Sequence, residues 1–224
     1  MVSLQHPLIR VLRGNEIAYG GSQMWAEDRT FQEVGCGIIA AEDLILHLAH
    51  HHPELPRGIA EEASLESLAE YNRFGQALRK KYFPLIPKFG ITGIQLAFGL
   101  NRYFKAHGIP LKASWGASHR HIFDEIEDML HRDIPVIFSV GQNFPKVWKK
   151  TGLTAYTKDR EGFLHPDCGI RAHYMIVTAM DDTHITVSSW GRVYYLSRQE
   201  FTNYAKRDST PLFCNIIRIK PCIR

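Results

Sequence analysis

A cysteine at the start of an apolar segment is the residue of this chain best suited to nucleophilic chemistry. Cys36 lies between Gly35 and Gly37 and opens residues 36–48, whose apolar side chains mix helical spacings of three and four with adjacent pairs. In the first turn of a helix, unpaired N–H groups and the positive end of the dipole favour the thiolate, which is the reactive form of cysteine. The pattern therefore predicts a buried helix with a nucleophile at its start. The alternative is that Cys36 is a small buried apolar residue.

Three other residues are candidates for the same chemistry. Gln32 and Gln23 precede Cys36, and either side-chain amide can donate an N–H to the oxyanion formed when a thiolate attacks a carbonyl. Both can equally be ordinary loop glutamines. Cys168 is a second candidate thiol, but no apolar segment of helical length follows it. We therefore interpret Cys168 as a loop residue that lines a cleft.

A run of histidines ends the segment that Cys36 opens. His47, His50 and His51 recur at spacings of three and four, so their imidazoles can share one helix face and hold a metal ion. No obvious carboxylate or cysteine completes such a site, and histidines near a helix C-terminus also interact favourably with the dipole. Pro53 ends the helix here. We expect no metal and no other cofactor, with a metal-dependent hydrolase as a third hypothesis.

The elements that must position these residues differ between the two halves of the chain. Helical periodicity in the first half predicts three further helices, with Ser64, Thr92 and Ser118 as their N-caps, after a short strand or hairpin near the N-terminus. From residue 134 onward, short segments rich in branched and aromatic residues, separated by tight turns, predict an antiparallel meander. Residues 142–167 are predicted to form a long polar loop.

A helical half followed by a half rich in strands indicates an α+β fold. The chain has 224 residues and no obvious linker, which predicts a single domain spanning 1–224. Within it we expect a mainly helical lobe at 1–133 and an antiparallel sheet lobe at 134–224.

Composition and charge exclude several classes of partner. The net charge of +4 is small and scattered, so we expect no nucleic-acid binding. No apolar run reaches the length of a membrane span and the N-terminus lacks the pattern of a signal peptide, so we expect no membrane association. The four cysteines lie far apart without the spacing of a disulfide framework. Together these features predict a cytoplasmic protein with reduced thiols.

Three short motifs follow one another along the chain: Gly35-Cys36-Gly37, Ala172-His173-Tyr174 and Ser188-Ser189-Trp190-Gly191. A cysteine opens a buried helix, a histidine opens a strand, and a polar pair ends the next strand. This order resembles the papain-like cysteine peptidase superfamily and, within it, the C39-like peptidases most closely. It implies a papain-like fold, in which the nucleophile helix of a helical N-terminal lobe packs on a C-terminal antiparallel sheet.

The resemblance also implies a role for each residue of a catalytic set. Cys36 is the nucleophile, and His173 takes its proton and later protonates the leaving amine. Ser188 stands where the family usually carries an asparagine or aspartate that orients the ring, and Asp181, Asp182 or Asn143 are alternatives for that role. Trp190 is expected to shield the pair from water. The family also places a glutamine six residues before the nucleophile, where this chain has Thr30. The oxyanion donor is therefore left open between Gln32 and Gln23, beside the backbone N–H of Cys36.

These roles predict a cysteine peptidase, or a related thiol-dependent amide hydrolase or acyltransferase, that acts on a peptide or amide substrate. The serine in place of the usual orienting residue leaves an alternative open. In that alternative, the chain is a catalytically weak or inactive C39-like homologue that binds a peptide or small molecule in the same cleft. Neither the substrate side chains nor the oligomeric state can be read from the sequence.

Overall fold

A computed structural model of the chain describes residues 1–56 and 65–222. These residues contain one 3₁₀ helix at Gln23–Trp25 and six α-helices. The α-helices are α1 (Arg29–Val34), α2 (Cys36–His51), α3 (Leu68–Lys81), α4 (Gly93–Ala106), α5 (Ile122–His131) and α6 (Arg198–Arg207). Thr92 caps α4 as the sequence predicts, in a reciprocal capping box with Gln95.

Most of the strands in the same residues belong to one large sheet. The strands are β1 (Val2–Ser3), β2 (Arg10–Arg13), β3 (Glu16–Tyr19), β4 (Leu65–Ser67), β5 (Leu111–Trp115), β6 (Val136–Val140), β7 (Leu153–Lys158), β8 (Leu164–Ile170), β9 (His173–Met180), β10 (His184–Ser189), β11 (Arg192–Ser197) and β12 (Ile217–Pro221). Seven strands form this sheet. Six of them lie in the order β1-β9-β10-β11-β7-β8, and the seventh, β6, pairs with β9. Every pairing in the sheet is antiparallel. Strands β5 and β12 form a separate pair, and β2 lies between β3 and β4.

Helix α2 lies in the centre of the molecule. Its residues from Gly37 to Ala49 are all buried, and it packs against β9 and β6 on one side and α3 and α4 on another. A helix that is apolar nearly all round loses contact with water on every face, and this burial stabilises its position. The predicted buried helix is therefore confirmed, and its N-terminal residue, Cys36, retains partial exposure.

Two predicted helix starts lie in the wrong place. Ser64 falls outside the described residues, and α3 begins at Leu68 with Ser67 as its cap, because the three residues before the helix pair with β2 as strand β4. Ser118 does not cap α5. Its hydroxyl accepts the N–H of Arg120 in a turn, and α5 begins four residues later, at Ile122.

The predicted long polar loop at residues 142–167 is wrong for much of its length, because β7 and β8 form a hairpin there. Leu153 and Ala155 are buried and alternate with more exposed neighbours, as expected for a strand with one covered face. The carboxylate of Asp159 closes the turn by accepting the N–H groups of Glu161 and Phe163. Polar turn residues obscured this alternation in the sequence.

The α+β class is confirmed, but the strands are not confined to the second half of the chain. Strand β1 pairs with β9 of the large sheet, and β5 pairs with β12. The buried apolar residues of both halves form one continuous cluster. In the described residues, no helix combines the length and the apolar character that crossing a membrane requires.

Candidate active site

The N-terminal turn of α2 places Cys36 beside the start of β9, an interior strand of the large sheet. Gly35 is the N-cap, and Gly37 allows the first turn to approach its neighbours closely. A Cβ atom at position 37 would lie 2.7 Å from the Ile91 side chain and 3.2 Å from the ring of Tyr174. Because Tyr174 directly follows His173, this close approach brings the helix start beside the predicted histidine.

His173 is fixed at the first position of β9. It pairs with Val140 of β6 and is only 7% exposed. A hydrogen bond of 2.7 Å joins its Nε2 to Ser189 Oγ, and its ring stacks on Trp190 with centroids 4.4 Å apart. These two contacts hold the plane of the imidazole and occupy Nε2, so Nδ1 is the ring nitrogen left for another group.

The end of β10 and the turn after it carry the two residues that contact the ring, Ser189 and Trp190. Trp190 and Gly191 have φ of 50° and 76°, the left-handed conformations of a two-residue hairpin turn whose twist matches the strands. Gly191 donates its N–H to the Gly21 carbonyl and accepts the N–H of Tyr19. The turn is thereby tied to the segment that leads to Gln23.

Ser188, which the resemblance assigns to the ring, makes no hydrogen bond to it among the described residues. Its hydroxyl donates to the Tyr19 carbonyl at 2.8 Å, and the neighbouring residue, Ser189, makes the hydrogen bond to His173 instead. Successive side chains in a strand point to opposite faces, so a shift of one position changes which serine meets the ring. In the structure it is therefore Ser189, and not Ser188, that hydrogen-bonds the ring.

The two candidate oxyanion glutamines occupy different places. Gln23 is 8% exposed and lines the same pocket as Cys36, while its Nε2 donates one N–H to the Gln32 carbonyl at 2.9 Å. A side-chain amide carries two N–H groups, so a second one is left for a ligand. Gln32 lies in α1, directs its amide to the Ala26 carbonyl and does not line the pocket. The geometry therefore favours Gln23.

Cys36, His173 and Gln23 line one small pocket, with room for about one water molecule in its interior. Its walls are residues 21–23, one face of α2, the start of β9 at residues 173–176, and residues 188–190. The thiol, the imidazole and the amide thus share one cavity, although they are separated by up to 150 positions in the sequence.

Burial sets the resting protonation of the pair. It raises the pKa of the Cys36 thiol above its ordinary value, although backbone N–H groups of Tyr174 and Gly37 act in the opposite direction. Burial also lowers the pKa of His173 to about 4. The expectation that the helix start favours a thiolate is therefore wrong for the resting site, because desolvation outweighs the N–H groups. At neutral pH the pair is a thiol and a neutral imidazole, and among the described residues no hydrogen bond joins them.

No family model, no curated protein and no solved structure matches this chain. The site is therefore interpreted from its own geometry.

Asp43 is a residue of the pocket that the sequence interpretation missed. It lies seven residues after Cys36, on the same face of α2, and accepts hydrogen bonds from Gly21 N–H at 3.1 Å and Tyr71 hydroxyl at 2.8 Å. Burial raises its pKa to about 7 despite these two donors. A charged residue inside an apolar helix, seven positions from the nucleophile, was the available signal. Asp43 anchors the segment that carries Gln23.

The other candidate residues lie outside the pocket. Cys168 belongs to β8, where it pairs with Ala155, and burial together with the neighbouring Asp167 raises its pKa. It is a strand residue and not the loop residue that the sequence predicts. His47, at the opposite end of α2 from Cys36, is fully buried.

Proposed function

We propose that this protein is a thiol-dependent amide hydrolase or acyltransferase with a papain-like, C39-like arrangement, in which Cys36 and His173 form the catalytic pair. The observation that carries the proposal is the orientation of His173. Its Nε2 is engaged by Ser189, and Nδ1 remains for a pocket that the Cys36 thiol also lines. An oriented imidazole beside a thiol at a helix start is the arrangement that nucleophilic catalysis requires.

The first step of the proposed reaction is proton transfer coupled to attack. When Nε2–H donates a hydrogen bond to Ser189 Oγ, Nδ1 carries the lone pair. Nδ1 then accepts the proton of the Cys36 thiol as sulfur bonds to the substrate carbonyl carbon. The ion pair is formed only as the reaction proceeds, which fits a site where burial keeps both groups neutral at rest. Negative charge then accumulates on the carbonyl oxygen.

Two donors are available for that oxygen. The N–H of Cys36 belongs to the first helical turn, where backbone N–H groups lack an intrahelical acceptor, and Gln23 supplies the second side-chain N–H. Collapse of the intermediate expels the amine, which takes the proton from His173 Nδ1. Water, or an acceptor nucleophile in a transferase, then releases the acyl group from sulfur by the same steps in reverse.

Substrate profiling tests the proposal. Purified protein is assayed against a panel of peptides, small amides and thioesters, with product release followed by mass spectrometry and Cys36→Ala assayed beside it. We expect turnover of at least one substrate class by the wild type and none by the variant. Turnover that persists in Cys36→Ala would assign the reaction to another site.

A second candidate function is binding of a peptide or small molecule without turnover. The observation that favours it is the absence, among the described residues, of a hydrogen bond between Cys36 and His173, together with the neutral resting state of both groups. Calorimetry on the same panel separates the two functions. Saturable binding of a compound that stays intact over prolonged incubation supports the binding role.

Exchange of the two neighbouring serines for alanine distinguishes their roles. Ser189→Ala removes the hydrogen bond that holds His173, so we expect kcat/KM to fall about fivefold to tenfold, as for loss of about 1 kcal/mol. Ser188→Ala is the matched control, since its hydroxyl bonds the Tyr19 carbonyl and not the ring. Steady-state kinetics on both variants measures the difference. A larger loss in Ser188→Ala than in Ser189→Ala would contradict this assignment.

The pH dependence of kcat/KM follows from the lowered pKa of His173. The imidazole must be neutral to accept the thiol proton, so activity falls as pH decreases through the folded-state pKa of about 4, well below the 6.5 of an exposed histidine. The raised pKa of Cys36 moves the alkaline limb of the kcat/KM profile to higher pH, and a broad plateau should separate the acid and alkaline limbs. A pH profile with circular dichroism at each point measures this. An acid limb centred near 6.5 would contradict burial as the cause.

A further inference from the structure

The C-terminal end of α2 holds a second cluster of residues capable of chemistry, far from the pocket. His47, His52 and Asp133 each offer one possible metal ligand atom, and the three atoms lie within 4.8 Å of one another. From Cys36 to His47 the helix rises about 16 Å. The cluster therefore belongs to a different part of the molecule from the catalytic pair.

The sequence alone pointed to a different trio. Helical spacing groups His47 with His50 and His51, and no obvious carboxylate lies near them in the sequence. The fold brings in Asp133, which follows α5 and is separated from His47 by 86 positions. His52, just beyond the end of α2, completes the group.

The hydrogen-bonding pattern of His52 requires a cation or a second proton. Its Nδ1 lies 2.9 Å from the Glu54 carboxylate, and its Nε2 lies 3.0 Å from the Asp133 carbonyl oxygen. Both partners are acceptors, whereas a neutral imidazole has only one N–H to donate. A metal ion bound to Nε2 resolves this conflict, because Nδ1–H then donates to Glu54 in the carboxylate–histidine–metal arrangement common around bound metals.

His47 brings a second imidazole to the same point. Its Nε2 lies 3.1 Å from the Asp133 carbonyl oxygen and 3.5 Å from Asp133 Oδ1, and the side chain is fully buried. Two ring nitrogens and two oxygens thus converge.

The carboxylate of Asp133 is itself held in place. Its Oδ1 accepts the backbone N–H groups of Gln5 and His6, and its Oδ2 lies 2.6 Å from His6 Nδ1. Such outer contacts orient a ligating carboxylate and are typical of built metal sites. They also connect the N-terminal segment to the cluster.

We infer that His47, His52 and Asp133 form a zinc-type metal site that joins the end of α2 to the segment after α5. Imidazole nitrogen with carboxylate oxygen is a donor set that suits divalent first-row ions, Zn²⁺ in particular. The bound ion ties two separate segments together, and Asp133 in turn holds Gln5 and His6 of the N-terminal segment, so the role of the ion is to stabilise the fold. This inference does not depend on the proposed activity at Cys36.

Metal titration tests the inference. Protein without a polyhistidine tag is stripped with EDTA and titrated with Co²⁺, followed by visible absorption, and with Zn²⁺ in competition. We expect one equivalent to bind, with the absorption of four-coordinate Co²⁺ and a Tm that rises with metal concentration. Absence of stoichiometric binding would overturn the site.

Two substitutions locate the bound ion. Asp133 has φ of 55°, which asparagine also tolerates, so Asp133→Asn keeps the backbone and an oxygen acceptor while removing the charge. Asp133→Asn and His52→Gln are each expected to weaken binding by about tenfold or more. His165→Gln is the matched control. His165 pairs with Asp159 at 2.7 Å, and within the described residues no third possible ligand joins them. The affinity of this variant for the metal should therefore equal that of the wild type.

A measurement on the wild type removes dependence on the variants. Long-range ¹H–¹⁵N NMR spectra report which imidazole nitrogens are protonated. Addition of Zn²⁺ should shift the ring nitrogens of His47 and His52. Spectra that are unchanged by Zn²⁺, with His52 protonated on both nitrogens, would overturn the inference and show that a proton serves both acceptors.

Discussion

Cys36→Ala is expected to abolish turnover, lowering kcat/KM on the order of 10⁴-fold or more. Alanine has no atom that can form the bond to the acyl group. The imidazole of His173 and the oxyanion donors assist only the formation and cleavage of that bond. The substitution removes a single sulfur from a partly exposed position, so the fold should persist. Steady-state kinetics on the best substrate of the panel, with circular dichroism as the test of folding, measures the effect.

Cys168→Ala provides the matched control. Cys168 is also partly exposed and also has a raised pKa, but it lies in β8 and does not line the pocket. Its removal should leave kcat/KM unchanged. A comparable loss in both variants would show that the effect of Cys36→Ala is structural.

His173→Gln has the second largest expected effect, a fall in kcat/KM on the order of 10² to 10⁴. The side-chain amide of glutamine can retain the hydrogen bond to Ser189 and the packing on Trp190, but it cannot accept the thiol proton. The loss should therefore appear in kcat and should be accompanied by loss of the acid limb near pH 4. A pH profile of the variant measures both.

His184→Gln serves as the control for that substitution. His184 begins β10, at the opposite end of the strand from Ser189, and its ring bonds the Thr183 hydroxyl. Equal losses in the two histidine variants would contradict a role for His173 as the base.

Much of the fold could be predicted because its signals are local. The apolar spacing of α2, the Thr92 cap of α4 and the branched residues of β9 each depend on neighbours in sequence, and each predicted element is present. The elements missed depend on distant partners. Strand β4 exists because β2 lies beside it, and the β7–β8 hairpin extends a sheet whose other strands come from elsewhere in the chain.

The site shows the same division between local and distant information. The sequence predicts Cys36 at the start of a helix and His173 at the start of a strand, and the fold brings both to one pocket. Ser189 and not Ser188 hydrogen-bonds the ring because the pairing of β10 with β9 shifts register between Thr186 and Val187. Such an irregularity changes which side chains share a face, and a sequence pattern does not reveal it.

The pKa of the nucleophile could not be predicted for a different reason. A helix start lowers a thiol pKa by a local effect, whereas desolvation depends on every group packed around the sulfur. Here residues of β9 and of the segment ending at Gln23 line the same pocket as Cys36, and desolvation of the thiol dominates. Only the packed structure contains this information.

Trapping of the covalent intermediate tests the central claim, that Cys36 attacks carbonyl carbon with His173 as its base, most directly. Wild-type protein and His173→Gln are mixed with a substrate thioester or activated amide, quenched in acid and analysed by intact mass and peptide mapping. We expect a single acyl group on Cys36 that forms more slowly in the histidine variant. An acyl group on Cys168 or Cys222, or equal rates of acylation in both proteins, would contradict it.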